Sequence, residues 1–136
     1  MATTKATHPS VAEITVVSPD RVGLIADVSE TLAENGVNID SISVETAGGD
    51  AIIRVVTPSK TASKAKQALE QGGFTPVESD ALVVSMPDRP GELARLSRKF
   101  AENGISIKNV YLLKKEGAKT LLAFKVSSPE KAKTLL

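Results

Sequence analysis

Alternating apolar and polar positions predict a strand near the start of each half of the chain. Residues 13–17 place Ile14 and Val16 on one face, and residues 82–86 place Leu82 and Val84 on one face in the same way. A period of two is the pattern of a strand with one buried side. We therefore expect both halves to begin with the same element.

Helical periodicity follows each predicted strand. The apolar side chains at helical spacing are Ile25, Val28 and Leu32 in the first half and Leu93, Leu96 and Phe100 in the second. Such a stripe is typical of an amphipathic helix that packs on one side. Each helix is expected to end at an Asn-Gly pair, at 35–36 and 103–104, because these residues tolerate the left-handed conformation of a helix end.

The pattern then predicts a hairpin and a second helix in each half. The hairpin strands are residues 37–46 with 51–57, and residues 105–115 with 120–127. Pro58 and Pro129 each precede a second helix. In the first half, residues 74–78 can form a fourth strand.

The predicted order of elements is strand, helix, strand, strand, helix, strand. It is the order of an α+β ferredoxin-like βαββαβ unit, in which an antiparallel sheet carries both helices on one face. The second half stops at Leu136 without residues to match 70–79, so this unit is predicted to lack its last strand. Two explanations are open: the chain is shortened, or the exposed edge is covered by a partner or by the N-terminal residues.

An internal repeat divides the chain. Pro87 lies 68 residues after Pro19, and the same offset relates identical residues along both halves. In the first half these residues are Pro19, Asp20, Arg21, Gly23, Ala26, Ser29, Ala33, Glu34, Asn35, Gly36 and Ile39. Self-similarity of this extent marks two units of one type. We expect a flexible tail at 1–12, a first domain at 13–79 and a second domain at 80–136.

Charge and composition exclude several classes of function. With 17 Lys and Arg against 16 Asp and Glu, the net charge of +1 gives no attraction for nucleic acid. The chain has no cysteine, which removes disulfides and thiolate chemistry. No apolar run approaches the roughly 20 residues of a membrane span. We expect a soluble, cytoplasmic protein that binds neither nucleic acid nor membrane and needs no metal or cofactor.

Catalytic groups are scarce. The one histidine, His8, lies in the expected tail, and no pair of carboxylates stands out from the repeat. Catalysis needs a placed acid, base, nucleophile or metal. The sequence therefore predicts a protein that is not an enzyme.

The repeated Pro-Asp-Arg-x-Gly turn can receive a small zwitterion. The helix behind it presents unpaired N–H groups that favour a carboxylate, and Gly23 or Gly91 lets a ligand approach the backbone. Asp20 or Asp88 can take an ammonium group, and Asn38 adds a donor and an acceptor. The alternative is that the aspartates cap the helices and the glycines allow a tight turn. The arginine of each turn is then a surface or ion-paired side chain.

The same residues resemble the signature of the ACT domain, a small amino-acid-sensing module attached to many enzymes of amino-acid metabolism. Asp-Arg-Val-Gly-Leu-Ile and Asn-Gly-Val-Asn-Ile stand at 20–25 and 35–39. Asp-Arg-Pro-Gly-Glu-Leu and Asn-Gly-Ile-Ser-Ile stand at 88–93 and 103–107. The resemblance covers 13–136 and occurs twice at corresponding positions, so it implies two tandem ACT domains.

The resemblance also implies where a ligand binds. In the family, amino-acid effectors bind at interfaces between ACT units, against the turn from the first strand into the first helix. In serine-binding members the contacts match Ser18, Asp20 and Asn38 in the first copy and Met86, Asp88 and Ser106 in the second. Methionine cannot supply a strong polar contact, so the first copy is favoured. The implied set is completed by the turns, Arg21, Val22, Gly23, Leu24, Arg89, Pro90, Gly91, Glu92 and Leu93.

The function that the resemblance implies is regulation. The chain is expected to bind a small amino acid, to form a homodimer and to act allosterically on itself or on an enzyme of amino-acid metabolism. The alternative is a structural self-association or docking module whose ligand site is vestigial.

Overall fold

The computed structural model describes residues 4–6 and 10–136. Residues 1–3 and 7–9, which include His8 and half of the expected tail, lie outside the described residues. The chain divides into two units, Val11–Asp80 and Ala81–Leu136, and the second also contains the described residues before Val11. They are called the first unit and the second unit below.

The elements follow the predicted order in both halves. In chain order they are β1 (Lys5–Ala6), β2 (Val11–Pro19), α1 (Leu24–Glu34), β3 (Ser41–Ala47), β4 (Asp50–Pro58), α2 (Ala62–Gln71), β5 (Pro76–Pro87), α3 (Glu92–Glu102), β6 (Ile107–Glu116), β7 (Lys119–Val126) and α4 (Pro129–Thr134). The division between the units falls within β5. The predicted class, two tandem α+β units with antiparallel sheets and helices, is confirmed.

The first unit buries its core between sheet and helices. β2 and β3 both pair antiparallel with β4. The predicted inward pair Ile14 and Val16 is fully buried, together with Ile53 of β4. Val28 and Leu32 of α1 pack against these strands, since they belong to the same cluster of buried residues. The alternation and the helical spacing therefore predicted the buried faces of β2 and α1 correctly.

Both first helices end where the sequence predicts. The C-cap residues are Asn35 and Asn103, and each is followed by a glycine with positive φ. Behind α1 the N–H of Val37 donates to the carbonyl of Leu32 at 2.9 Å, and α3 closes in the same way. This hydrogen bond usually accompanies a helix that ends with a residue in the left-handed conformation.

The strands after these helices begin later than predicted. β3 starts at Ser41 rather than at 37, and β6 starts at Ile107 rather than at 105. The reason is that the first residues after each Asn-Gly pair close the helix and then form a connecting loop. Asn38, expected at the start of a strand, therefore lies in this loop.

The second unit also has an antiparallel sheet. β5 pairs with β7, and β7 pairs with β6. β6 carries two register shifts, between Ile107 and Asn109 and between Leu112 and Lys114. Such irregularities accommodate extra residues in one strand of a pair, and β6 is longer than its counterpart β3.

The second unit has a fourth strand, which confirms one of the explanations left open by the sequence, that the N-terminal residues cover the exposed edge. Lys5 and Ala6, in the stretch expected to be a flexible tail, form β1 and pair antiparallel with Ser85 and Val84 of β5. The strand comes from before the first unit instead of after α4. The expectation that this unit lacks a strand is therefore not confirmed.

The core of the second unit contains two aromatic rings that contact each other. Phe100 of α3 and Phe124 of β7 meet edge to face, with ring centroids 6.1 Å apart and planes at 89°. Such a pair contributes roughly 0.5–1.5 kcal/mol beyond its buried area. Leu82 and Val84 lie in the same cluster, as their alternation predicts.

None of the helices in residues 4–6 and 10–136 is long and apolar enough to cross a membrane.

Candidate functional site

The turn after β2 is fixed to the β3–β4 hairpin by its backbone. The N–H of Asp20 donates to the carbonyl of Gly49 at 2.9 Å. Gly23 then takes a φ of 85° and forms the N-cap of α1. The turn is thus held at both ends, by the hairpin and by the helix.

The second turn repeats this geometry. The N–H of Asp88 donates to the carbonyl of Ala118 at 2.8 Å, and Gly91 is the N-cap of α3 with a φ of 92°. A Cβ added at Gly91 would meet no atom within 4 Å. The positive φ by itself therefore explains the glycine, since side chains rarely adopt it.

The interpretation of Asp20 and Asp88 as helix caps is wrong. The N-caps are the two glycines, and neither helix receives a side-chain capping bond from the described residues. Each aspartate stands three residues before the N-cap, whereas a capping side chain belongs to the N-cap itself. Pro90, expected in the first helical turn, also precedes the N-cap.

Both helix N-termini consequently have free donors. The first N–H groups of a helix have no partner within it. The N–H of Leu24 is satisfied by the carbonyl of Arg21 at 3.3 Å, but no side chain in residues 4–6 and 10–136 caps those of Ile25 and Ala26. The same holds at the start of α3. Each turn can therefore donate hydrogen bonds to a carboxylate.

The arginines of the turns form ion pairs, as the alternative interpretation predicted. Arg21 contacts Asp27 of α1 at 2.5 Å, with both side chains half exposed. The Nε of Arg89 donates to Glu92 at 2.6 Å, and Arg95 donates to the other oxygen of the same carboxylate. The pair of Arg21 with Asp27, exposed on both sides, contributes little to stability.

Glu92 distinguishes the second turn from the first. It stands 68 residues after Leu24, which lies in the core of the first unit, and like Leu24 it is buried. Its hydrogen bonds with Arg89 and then with Arg95 hold the pKa of the Glu92 carboxyl below its ordinary value, against the effect of burial. The first turn of α3 thus already contains a carboxylate.

The two aspartates also differ. The carboxylate of Asp88 lies 3.5 Å from the ammonium of Lys115. Asp20 is exposed, and Asn38, its predicted companion, donates its side-chain N–H to the Asp40 carboxylate at 2.8 Å. Ser106, at the position of Asn38 in the second copy, pairs through its backbone with Ser127.

The remaining predicted residues are distributed as follows. Ser18, half-buried near the end of β2, donates to the carbonyl of Pro19 at 3.3 Å. Val22 and Pro90 are exposed at the same position of their turns, and Leu93 is exposed on α3. These side chains are available to a ligand or to a partner surface.

An open cleft of about 230 Å³ lies beside α1 in the first unit. Its lining residues are Arg21, Asp27, Glu30, Thr31, Glu34, Gly72 and Phe74. Arg21 is the residue of the predicted site that it includes. Three carboxylates line it, so it is unsuited to an anionic ligand group.

Asp27, Arg95 and Lys115 were missed in the sequence. Asp27 and Arg95 are repeat-equivalent, since they lie 68 residues apart, but their charges are opposite. The repeat is defined by its identical positions, and these two positions are not identical. Comparing its unlike positions would have found both residues, and Glu92 against Leu24 as well.

The arrangement can bind but offers no evident catalytic chemistry. It provides backbone donors for a carboxylate and side-chain carboxylate and amide groups for an ammonium. No group of three or more His, Cys, Asp or Glu residues suited to a metal occurs among the described residues.

Two α+β units with antiparallel sheets and the same strand-to-helix turn define a tandem ferredoxin-like protein. The family model of the ACT domain matches residues 12–71 and 81–136. The two matches cover most of the chain, and the chain therefore belongs to the ACT domain family. ACT domains are regulatory modules, and this chain contains two in tandem.

A similar curated protein is UPF0237 protein NMA1909 of Neisseria meningitidis serogroup A. It is 39% identical over 54 residues, which are 40% of this chain and 60% of that protein. A second UPF0237 protein, from serogroup B of the same species, matches equally. The match thus spans 60% of the length of these curated relatives.

Solved structures share the fold over the whole chain. Protein BT0572 from Bacteroides thetaiotaomicron has a TM-score of 0.81 at 20% identity, over 99% of this chain and 88% of that one. The ligand-free regulatory subunit of aspartate kinase from Thermus thermophilus has a TM-score of 0.75 at 20% identity, over 99% and 94%. At these identities the likeness establishes the fold alone.

Proposed function

We propose that the chain binds a small α-amino acid at the strand-to-helix turn of its first unit and acts as a regulatory or sensor protein. The observation that carries the proposal is the uncapped N-terminus of α1, with the N–H groups of Ile25 and Ala26 free to bind a carboxylate. An anion at such a position is stabilised by about 0.3–1 kcal/mol, and by up to about 2 kcal/mol when partly buried.

Asp20 and Asn38 would complete the site. Asp20 is exposed and its backbone is anchored to Gly49, so its carboxylate can pair with the ligand's ammonium without a change of fold. The Asn38 amide nitrogen is held by Asp40, which leaves its carbonyl oxygen to accept a further hydrogen bond. A zwitterion fits this combination of donors and acceptors.

The first turn suits the ligand better than the second. At the start of α3 the Glu92 carboxylate already engages Arg89 and Arg95, so a ligand carboxylate there would meet a like charge. Asp88 is engaged by Lys115. At the start of α1 the corresponding side chain is the apolar Leu24.

The regulatory role is supported by family membership. A similar fold is that of a protein described as the regulatory subunit of aspartate kinase. We propose that this chain is likewise non-catalytic, that it acts on itself or on an enzyme of amino-acid metabolism, and that the ligand bridges ACT units of two copies of the chain. Ligand binding would then favour one packing of the units over another.

The test is a titration of the full chain with each of the twenty amino acids, in which binding is measured by calorimetry and by thermal shift. Asp20→Ala and Asn38→Ala are the site variants, and Asp88→Ala and Ser106→Ala are the repeat-equivalent controls. Losing a charge-assisted hydrogen bond costs about 1.5–3 kcal/mol, so Asp20→Ala should weaken binding by roughly 10- to 150-fold. The control variants should change it little.

No stabilisation by any amino acid would refute the ligand proposal. Equal losses of affinity in the site and control variants would instead show that the ligand does not bind specifically at the first turn. Both variants stand on exposed positions, so circular dichroism should show the fold intact in each.

A self-association module is the second candidate function. The exposed apolar side chains on β3 favour this function, because burying them against a second copy needs no ligand. This function is favoured if the chain self-associates and binds no amino acid, and if the site variants self-associate as the wild type does.

A further inference from the structure

The outer faces of α1 and α3 carry opposite charges at equivalent positions. The two helices are related by the 68-residue offset along their whole length. The unlike positions on these faces are, in pairs, Asp27 and Arg95, Glu30 and Arg98, and Thr31 and Lys99. The last position of the face stays acidic in both helices, as Glu34 and Glu102. The face of α1 is therefore acidic, and that of α3 is mainly basic.

The same asymmetry extends over the two halves of the chain. Residues 11–80 contain 11 Asp and Glu against 5 Lys and Arg, whereas residues 81–136 contain 5 against 11. Their formal charges of −6 and +6, together with Lys5, give the net charge of +1. A nearly neutral chain thus contains one strongly acidic and one strongly basic half.

Four charged side chains on the two helix faces have no partner among the described residues. Glu30 and Glu34 of α1, and Arg98 and Lys99 of α3, are exposed, and their side chains form neither a hydrogen bond nor an ion pair there. Pairing within the chain therefore does not explain these charges, and all four are available to another molecule.

The acidic face borders the open cleft beside α1. Glu30 and Glu34 line this cleft together with Phe74, while Asp27 is already paired with Arg21. A guanidinium group suits such a cleft, because carboxylates accept its N–H groups and its plane can stack on an aromatic ring. The first unit thus has a cleft that can bind an arginine, and the second unit has a free arginine on its outer face.

We propose that the basic face of α3 of one copy docks in the acidic cleft beside α1 of a second copy of this chain, with Arg98 in the cleft. Both complementary surfaces occur in the same chain. Contacts of α1 with α1, or of α3 with α3, would bring like charges together and are disfavoured. No residue of β3 lines the cleft, so this contact is separate from one through the exposed apolar side chains of that strand.

The contact joins two different surfaces and is therefore heterologous. After docking, each copy still has one free face, so further copies can add. Exposed ion pairs contribute little individually, and we expect weak association with a Kd of about 0.1 mM at low salt. No amino acid takes part, so a chain that binds none still tests this contact.

The first test is sedimentation of the full chain at two salt concentrations. Between ionic strengths of about 0.02 M and about 0.5 M the Debye length falls from about 20 Å to about 4 Å. At about 0.5 mM protein the average mass should rise when the salt is lowered. The rise itself is the readout, so association through a salt-insensitive surface does not affect it. An average mass that is the same at both salt concentrations would overturn the proposal.

Charge reversal identifies the two faces. Arg98→Glu with Lys99→Glu makes both faces acidic, and Glu30→Lys with Glu34→Lys makes both faces basic. Each double variant alone should associate at least about tenfold more weakly at low salt. An equimolar mixture of the two should regain association, because every face then finds the opposite charge on the other variant. A variant that had lost its fold would not be rescued, so the mixture also checks the fold.

The matched control changes the charge of the second unit by the same amount elsewhere. Lys108→Glu with Lys119→Glu alters exposed positions on β6 and β7, and it should leave the salt-sensitive association near that of the wild type. An equal loss in this control would reduce the effect to net charge. A loss in only one of the two reversed variants would give that face a different occupant. Either result, or a mixture that stays unassociated, would contradict the docking of α3 on α1.

Discussion

Glu92 shows how one residue changes a repeated turn. The backbone of the two turns is the same, with an anchored aspartate and a glycine of positive φ. At the first helical position, however, the first unit buries Leu24 and the second buries a carboxylate held by two guanidinium groups. Removing one partner of such a group is costly because the other is left unsatisfied.

This ion-paired carboxylate predicts a pH dependence of stability. The pKa of Glu92 is lower in the folded chain than in the unfolded one, because Arg89 and Arg95 hydrogen-bond to its ionised form. Its contribution is present above the unfolded pKa and is lost as the pH falls through the folded pKa. Glu92→Gln should therefore lower the free energy of unfolding at pH 7, and the difference from the wild type should shrink below about pH 4.

Chemical denaturation at a series of pH values measures this difference. Glu130→Gln is the control, because Glu130 pairs with Lys133 at 3.1 Å but is 88% exposed. A difference between Glu92→Gln and the wild type that stays constant from pH 7 to pH 3 would contradict the prediction.

At the scale of elements, the short strand β1 completes the second sheet. It pairs with β5 through Lys5 and Ala6, both exposed, and covers an edge that would otherwise have free hydrogen-bonding groups. Two exposed residues supply little buried area, so this pairing should open more readily than the longer β5–β7 pairing.

Hydrogen exchange tests the role of β1. Successive N–H groups of a strand point to opposite neighbours, so one of the amides of Val84 and Ser85 faces β1. Replacing Lys5 and Ala6 together by proline removes the donors of β1 and should speed exchange of that amide, with a global loss of stability below about 1 kcal/mol. The matched control replaces both residues by serine. Unchanged exchange at both amides in the proline variant would show that β1 does not protect this edge.

At the scale of the whole molecule, ligand binding and self-association are thermodynamically linked. If the ligand binds at an interface between ACT units of two copies, it binds the dimer more tightly than the monomer. Linkage then requires that the ligand raise the dimer affinity by the same factor. For a typical coupling of about 1–3 kcal/mol this factor is about 5–150.

Sedimentation with and without the amino acid found by titration measures this factor. Asp20→Ala should abolish the effect of ligand on association while leaving association without ligand unchanged. A ligand that binds tightly but leaves the dimer affinity the same would place its site away from the interface between copies.

Much of the fold could be predicted from the sequence because the signals are local. The inward faces of β2 and β5 followed from alternation, and the ends of α1 and α3 followed from Asn35 and Asn103 before glycines. The tandem arrangement followed from the 68-residue repeat. The errors occurred where a tertiary contact decides, as at the start of β3 and at β1.

The candidate site was less predictable. The sequence marked the turns and their arginines, but its alternative interpretation of Asp20 and Asp88 as helix caps places the caps three residues too early. The ion pairs of Arg21 with Asp27 and of Lys115 with Asp88 depend on side chains brought together by the helix and the hairpin.

By itself the sequence determined the class, the duplication and the position of the strand-to-helix turns, because these depend on periodicity and on residues with special backbone preferences. Only the tertiary structure decided which strand lies beside β5, which residue caps each helix and which charges meet. These outcomes depend on contacts between residues distant in the chain, such as Lys5 with Ser85, and local preference does not specify them.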